Sequence, residues 1–433
     1  MTTELTFNIA WEESPPGDPL EAATYGSLSI LLGDLALTEI EDRVAQTTRG
    51  TARVSAYPLA MWLASEWWRL RWEGPRKGPD WRLSHQLTAA GSGYVWPLVT
   101  FSSDGELVRV QAHRYRAASW EPIIYLNSAE DTVPAGEFER SVGDFIETVS
   151  ARLAATGYET SPLQLLWNEV QSERGNPEIA QLRRLEALLG YDPDGSPSGL
   201  LDDYLDGSMR FGSDAIAELA AAAANRAAAP DWIALEQALA HGDTVRIPDF
   251  PALQTRALLA GQGVSLPWQR GEEAARVVRD AIGMPTGPLG DDMLRDWLGT
   301  TISDGEPWPG TVAFASRQQA EADTLKVRYR SGSRNSRRFE LARLFGDHLV
   351  ASRPDDLLLC ATRGKTARQS EQRAFAAELL VPWDDLIDAV GDDPDEEAME
   401  SVARQYEVSP LVVRTRLVNK GQLPRNALPL SVL

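Results

Sequence analysis

The chain has 433 residues, of which 43% are hydrophobic, and this is enough for roughly two to four domains with a buried core in each. The formal charge of −21 argues against sequence-blind attraction to nucleic acid or anionic lipid. A single cysteine, Cys360, excludes an internal disulfide and any zinc site of several thiolates, and its apolar surroundings favour a buried structural thiol. With no secretory leader and no apolar run long enough for a bilayer, we expect a soluble, cytoplasmic protein.

The first part of the chain alternates strand and helix signals. The segment ELTFNIAW alternates apolar and polar residues, and VTFSSDGELVRVQA places a Ser-Asp-Gly turn between two alternating runs, which predicts a hairpin. Between them, YPLAMWLASEWWRLRW has apolar residues at helical spacing, with tryptophans at positions 62, 67, 68 and 72. We favour a place in the core for all of them. The alternative is that some contact a second domain or a partner, because they are too many for one core-facing stripe. We predict a Trp-rich α/β module over residues 1–157.

The remainder predicts two further regions. Residues 158–262 have a helical pattern with Pro, Gly and Asp punctuation and no motif for chemistry, which indicates a helical connector. Residues 263–433 begin with two amphipathic helices, followed by a strand pair, GTVAFAS and TLKVRYR, and a helix over RRFELARLFGDHLV. The predicted fold class is therefore α+β, helix-rich and multidomain.

The helix RRFELARLFGDHLV has the spacing of a metal-binding helix but different residues. Arg343 and Asp347 lie four residues apart, which is the spacing that stacks two histidines over one metal ion. A second helix follows in SEQRAFAAELLVP, and a later helix, turn and helix have Ser409 as the expected N-cap of the last helix.

Together these segments resemble the ImmA/IrrE family of metallopeptidase-like regulators. The family pattern R-F-x-L-A-H-E-x-G-H, then E-A-N-x-F-A-A-x-L-L-x-P, then a helical pair with a Val-Ser turn, is similar to this chain over about residues 263–433. The matching positions are Arg338, Phe339, Leu341, Ala342, Gly346, Glu371, Phe375, Ala376, Ala377, Leu379, Leu380, Pro382, Val408, Ser409, Arg416 and Leu417. The resemblance implies a zincin-like C-terminal domain that acts on a helix-turn-helix repressor of mobile-element, phage or stress genes.

The resemblance also implies a degenerate site. By position, the family's first zinc histidine falls on Arg343, its general-base glutamate on Leu344 and its second histidine on Asp347. Glu371 falls on the third ligand and alone keeps a metal-binding residue type. Arginine repels a cation and leucine accepts no proton, so we expect no catalytic residue, no bound metal and no cofactor. We predict instead that the Arg343 guanidinium is forked between the Asp347 and Glu371 carboxylates, with ligand binding by the same three residues as the alternative.

Basic residues are concentrated around this helix. From Lys326 to Arg373 there are twelve basic and five acidic residues, a local charge of +7 within an acidic chain. This favours either an anion-binding surface or pairing within the molecule. The candidate anion-binding residues are Arg334, Arg337, Arg338, Arg363, Lys365, Arg368 and Arg373.

Three functions follow from these patterns. The first is a catalytically inactive ImmA/IrrE-like regulator that binds a protein partner. The second is a metal-dependent peptidase with a rearranged site of Asp347, His348 and Glu371. The third is a nucleic-acid or nucleotide binder that uses the basic cluster. In the C-terminal helical pair, Arg414, Arg416 and Lys420 are candidates for DNA contact, whereas Leu411, Val412, Val413, Leu417 and Val418 indicate packing.

Overall fold

The computed structural model describes residues 3–14, 17–114, 121–223, 228–310, 312–318, 321–350, 356–391 and 394–429. The fold is mixed α+β and helix-rich, with small antiparallel sheets, as the sequence predicted at this coarse level. The described residues form two compact units, one of residues up to Asp202 with Ala223, the other of Asp203–Ala222 and residues from 228 onward. No helix in the described ranges is both long and apolar enough to cross a bilayer.

Three antiparallel sheets belong to the first unit. Their strands are β1 Leu5–Trp11, β2 Tyr25–Leu32, β3 Leu35–Ala36, β4 Ile40–Asp42, β5 Thr47–Arg49, β6 Ala52–Ser55, β7 Leu98–Ser103, β8 Leu107–His113, β9 Ile123–Tyr125 and β10 Ala129–Pro134. In the first sheet β2 is central and pairs with β1, β3 and β6. The second sheet has the order β10-β8-β7, and the third has the order β5-β4-β9. The predicted hairpin is confirmed as β7 and β8, because the Asp104 carboxylate accepts hydrogen bonds from the backbone N–H groups of Glu106 and Leu107 and closes the turn.

The helices of the first unit cover these sheets. They are α1 Pro19–Ala23, α2 Tyr57–Ser65, α3 Trp67–Trp72, α4 Pro79–His85, α5 Ala135–Ala155, α6 Pro162–Gly175 and α7 Pro177–Leu189. The Trp-rich stretch that the sequence predicted as helical is divided into α2 and α3 at Glu66. Trp62, Trp67 and Trp68 are at most 7% exposed and pack in the core of this unit, which supports the core interpretation for these three. Trp72 is half-buried and lies under the guanidinium groups of Arg71 and Arg184.

The second unit combines a four-stranded antiparallel sheet with helices. The strands are β11 Asp243–Arg246, β12 Ala313–Gln318, β13 Glu321–Arg328 and β14 Leu358–Ala361, and their order in the sheet is β11-β13-β12-β14. The helices are α8 Leu200–Phe211, which begins in the first unit, α9 Ser213–Ala223, α10 Trp232–Ala240, α11 Phe250–Ala260, α12 Pro267–Ala281, α13 Asp291–Leu298, α14 Arg334–Val350, α15 Ala367–Leu380, α16 Trp383–Val390, α17 Glu396–Gln405 and α18 Pro410–Asn419. The predicted strand pair is confirmed as β12 and β13, and the predicted metal-site helix as α14.

The three-part division predicted from the sequence needs correction. The helical connector of residues 158–262 is not a separate body, because its first helices belong to the first unit and its later ones to the second. Leu163 and Trp167 of α6 lie in the first core, and Phe250 and Leu253 of α11 lie in the second. A helix buries its apolar face against neighbouring elements, and here each half of the region does so in a different core.

Candidate functional site

The candidate site lies where α14 and α15 meet the end of β14. Gly346 and Phe375, two of the residues that carry the family resemblance, face each other there. A Cβ atom on Gly346 would lie 2.5 Å from a ring carbon of Phe375, so only glycine allows this approach. Leu344 is fully buried in the core of the second unit, and a side chain of that kind cannot act as a general base.

Arg343 is held by neutral oxygens. Its Nη2 donates to the backbone oxygen of Thr362 at 2.8 Å, to Oε1 of Gln369, and to Oε1 of Gln372 at 3.3 Å. The two glutamines are fixed in turn, because each donates its side-chain Nε2 to the backbone oxygen of Cys360 at 2.9 and 3.0 Å. Arg343 is therefore a buried cation in an amide and carbonyl shell.

The carboxylates predicted to hold Arg343 have other partners. The Asp347 carboxylate accepts two hydrogen bonds from Arg368, from Nε to Oδ1 at 2.7 Å and from Nη2 to Oδ2 at 2.8 Å, so the pair is bidentate. Glu371 pairs with Arg270 of α12 at 3.1 Å. The predicted fork of Arg343 between Asp347 and Glu371 is thus wrong. The physical reason is that a flexible arginine on α15 and another on α12 reach these carboxylates, while the amides of Gln369 and Gln372 reach Arg343.

The residues at the site do not fit the zinc ion that the resemblance implies. Arg343 is a fixed cation where the family has a ligand, and the two oxygens of Asp347 are engaged by another cation. Nearby His348 is buried, stacks on Phe250 with ring centroids 4.0 Å apart, and accepts a hydrogen bond at Nδ1 from Nε of Arg317. In the described ranges, no group of three His, Cys, Asp or Glu side chains is arranged to hold a metal ion.

Most members of the predicted basic cluster pair within the second unit. Arg334 and Arg338 both contact the carboxylates of Asp291 and Glu407, and the Arg338 side chain is 0% exposed. Arg337 donates to the backbone oxygens of Ser331, Ser303 and Glu306. A continuous anion-binding surface over all seven residues is therefore wrong, and pairing within the molecule explains most of the local excess of positive charge.

Three further members of that cluster lie on or beside the turn after β14. Arg363 and Lys365 are exposed on the turn after β14. Arg373 of α15 is half-buried and donates its Nη1 to the backbone oxygen of Gly364 at 2.9 Å. Burial lowers the pKa of Arg373 to about 10.

The cations of the C-terminal helical pair are also engaged. Arg416 is buried and donates to Glu378 and to the backbone oxygens of Ala377 and Val381. Arg414 pairs with Glu396, and Lys420 pairs with Glu272 at 2.8 Å. Val413, Leu417 and Val418 are buried as predicted, whereas Leu411 is exposed and Ser409 occupies the N-cap position without a side-chain capping hydrogen bond. The packing interpretation of this element is supported over DNA contact.

Three polar side chains at the site were missed by sequence reasoning, those of Glu218, Gln369 and Gln372. Glu218 of α9 is buried, accepts a hydrogen bond from the Thr366 hydroxyl at 2.6 Å, and has a pKa raised by burial. Nothing in its alanine-rich helix distinguishes it. Gln369 and Gln372 did carry a signal, because two amides three residues apart share one helix face with the apolar core positions of α15.

Cys360 lies in β14 and is fully buried, as predicted for a structural thiol. Burial raises the pKa of this thiol, so it stays protonated and weakly nucleophilic at neutral pH.

The first unit contains a buried ionic network that the sequence did not reveal. Glu73 is 1% exposed and contacts Arg69 at 2.7 Å, Arg76 at 3.1 Å and Nε2 of His85 at 3.0 Å. The His85 ring is fully buried, donates from Nδ1 to the backbone oxygen of Phe101 at 3.0 Å, and stacks on Trp81. Full enclosure of both the ring and the carboxylate makes this a structural network.

Comparison of the chain with protein-family models, with curated proteins and with solved structures finds no match.

Proposed function

We propose that the protein is a catalytically inactive, ImmA/IrrE-like regulatory protein of the cytoplasm that acts by binding a protein partner. The zincin-like character of its second unit and a setting in stress, mobile-element or phage-defence regulation belong to the same proposal. The observation that carries it is the bidentate pair between Asp347 and Arg368. Asp347 falls on a metal-ligand position of the family, and both of its oxygens are engaged by a guanidinium instead of a metal ion.

The other positions of the site support the same conclusion. A peptidase of this kind needs three ligands, a bound water and a general base. Here Arg343 and Leu344 take two of those positions, and Glu371 is paired with Arg270. The helices of the site are therefore retained without the catalytic groups, and such a scaffold can bind a partner without cleaving it. A helix-turn-helix regulator is the partner that the resemblance implies.

Metal content tests the loss of chemistry. Purified protein is given zinc, desalted and measured by elemental analysis beside the Glu371→Gln variant. We expect zinc well below one ion per chain and the same value for both proteins, because neither has a ligand set for it. About one zinc per chain in the wild type, lost in Glu371→Gln, would reopen the rearranged peptidase with Asp347, His348 and Glu371.

Binding is tested with helix-turn-helix regulators of the source organism. Each is mixed with the full chain, the complex is separated by gel filtration, and the mass of the regulator is measured. We expect a complex in which the regulator keeps its full mass. A shortened regulator would contradict the inactive state, and no complex with any such regulator would contradict the partner.

A further inference from the structure

Two arginines at the site have no carboxylate partner among the described residues. The hydrogen bonds of Arg343 all leave from Nη2 and end on neutral oxygens, and its Nε is buried with no hydrogen-bond partner. Arg373 donates only through Nη1, to the backbone oxygen of Gly364. Both therefore keep donor capacity that no described group uses.

The other buried arginines of the second unit are treated differently. Arg338 and Arg416 each contact at least one carboxylate. Arg279 has none, but each of its three nitrogens donates to a backbone oxygen, of Pro285, Leu379 and Gly287. A buried guanidinium is normally satisfied in one of these two ways, because an uncompensated buried charge is costly. Arg343 is satisfied in neither way.

Arg343 and Arg373 are close to each other. Both donate to the short segment that follows β14, Arg343 to Thr362 and Arg373 to Gly364. Arg373 also lies one helical turn beyond Gln369, the residue that accepts from Arg343. The pKa of Arg343 is lowered to about 9, mainly by burial and secondly by the neighbouring positive charge of Arg373.

The carboxylates near the pair act on it through their charges and have other hydrogen-bond partners. Glu218 acts on Arg373 in this way, accepts a hydrogen bond from the Thr366 hydroxyl, and has a pKa raised by burial. Glu340 and Asp347 act on Arg343 through their charges, Glu340 more strongly. Both are hydrogen-bonded elsewhere, Glu340 to Arg330 and Ser331 and Asp347 to Arg368. Among the described residues, no carboxylate is thus in hydrogen-bond contact with either guanidinium of the pair.

We propose that Arg343 and Arg373 bind the terminal phosphate group of a small phosphate monoester, with Arg363 and Lys365 at the exposed rim. A phosphate monoester carries about −1.5 to −2 charges at pH 7 and three acceptor oxygens, which balances two guanidinium groups. Arg343 is only 9% exposed, which favours a ligand whose phosphate is a terminal group over a phosphodiester, whose phosphate is substituted on both sides. The net charge of −21 also disfavours a long polyanion. This site does not depend on the proposed protein partner.

Calorimetric titration of the full chain with inorganic phosphate tests the site. We expect saturable binding of one phosphate, weakened about tenfold or more by Arg373→Gln, since a charge-assisted pair is lost. The control is Arg256→Gln, which removes an exposed cation on α11 of the same unit and leaves binding unchanged. Binding that does not saturate, or that falls equally in both variants, overturns the proposal, because general charge attraction then explains it.

Two additions keep the test decisive. Circular dichroism shows whether each variant is folded. If Arg373→Gln is not folded, Arg373→Lys takes its place in the test. This variant keeps the positive charge but loses the two-pronged guanidinium, so we expect it to bind phosphate more weakly than the wild type. Equal binding by a folded Arg373→Lys and wild type would then count against the site.

Titration with a mononucleotide and with a phosphoserine peptide separates the two sources of a monoester. Tighter binding of the mononucleotide supports a small ligand, and tighter binding of the peptide overturns that choice of ligand class.

Discussion

At the scale of single residues, Glu73 has the most demanding position in the first unit. Its carboxylate lies between α3 and α4 with two arginines and a histidine around it, and only 1% of the residue is exposed. The positive neighbours keep the pKa of Glu73 below its usual value, although burial alone would raise it. One carboxylate thus compensates several buried groups at once, so it is the weak point of the network.

We expect Glu73→Ala to lower the free energy of unfolding of the first unit by about 3–5 kcal/mol, because it removes the buried counter-charge that Arg69 and Arg76 share. Among the described carboxylates, Arg69 would keep only its pair with Asp192, whose side chain is 65% exposed. Urea denaturation followed by circular dichroism measures this. The matched control is Glu41→Ala, whose carboxylate is 45% exposed and 3.7 Å from Arg43. An exposed pair of that kind contributes about 0–1 kcal/mol. A similar, small effect of both substitutions would show that the network does not stabilise the unit.

Residue positions within one helix were predictable, whereas the partners of charged groups were not. A period of 3.6 residues places Arg343 and Asp347 on one face of α14 whatever the tertiary structure is. Their contacts depend on Arg368 and Gln369 of α15, and Glu371 depends on Arg270 of α12, about a hundred residues earlier. Sequence spacing does not show which arginine of the chain reaches a given carboxylate.

At the scale of elements, α12 and α15 approach each other at Gly271. A Cβ atom on Gly271 would lie 2.3 Å from the backbone oxygen of Glu371 and 3.0 Å from the backbone nitrogen of Phe375. The neighbouring atoms are backbone, which cannot turn aside as a side chain can. This contact brings Arg270 beside Glu371, so helix packing and the pairing of that carboxylate have the same origin.

Gly271→Ala is therefore expected to destabilise the second unit by about 1–3 kcal/mol through overpacking. The control is Gly261→Ala at the end of α11, where the nearest atoms to an added Cβ are 3.7 Å away and the backbone is right-handed helical. That change is expected to be close to neutral. The measurement is urea denaturation of both variants and the wild type. If Gly271→Ala were as stable as Gly261→Ala, the two helices would not be in backbone contact.

Elements with a strong local period were predicted, and elements defined by distant pairing were not. The hairpin of β7 and β8 and the helices α12, α14 and α15 follow from alternation, helical periodicity and turn residues. The strand β11 was missed, because its four residues, DTVR, have no apolar alternation. It exists as a strand through pairing with β13, with Val245 opposite Leu325.

At the scale of the whole molecule, the chain contains two hydrophobic cores. Buried apolar residues between Leu5 and Ala187 form one cluster, and those between Val245 and Leu417 form the other. The predicted boundaries at 157 and 262 were misplaced because helical periodicity shows which face of a helix is buried but not against what. A connector and two halves of neighbouring cores have the same amphipathic pattern.

Two cores of this size predict two cooperative transitions in differential scanning calorimetry, since each domain normally unfolds as a unit. The substitutions above assign them. Glu73→Ala is expected to lower the midpoint of one transition and leave the other in place, and Gly271→Ala is expected to do the reverse, because each acts within one core. The double variant should show both shifts, added with little interaction between them. A single transition that either substitution moves as a whole would mean that the two cores unfold as one cooperative body.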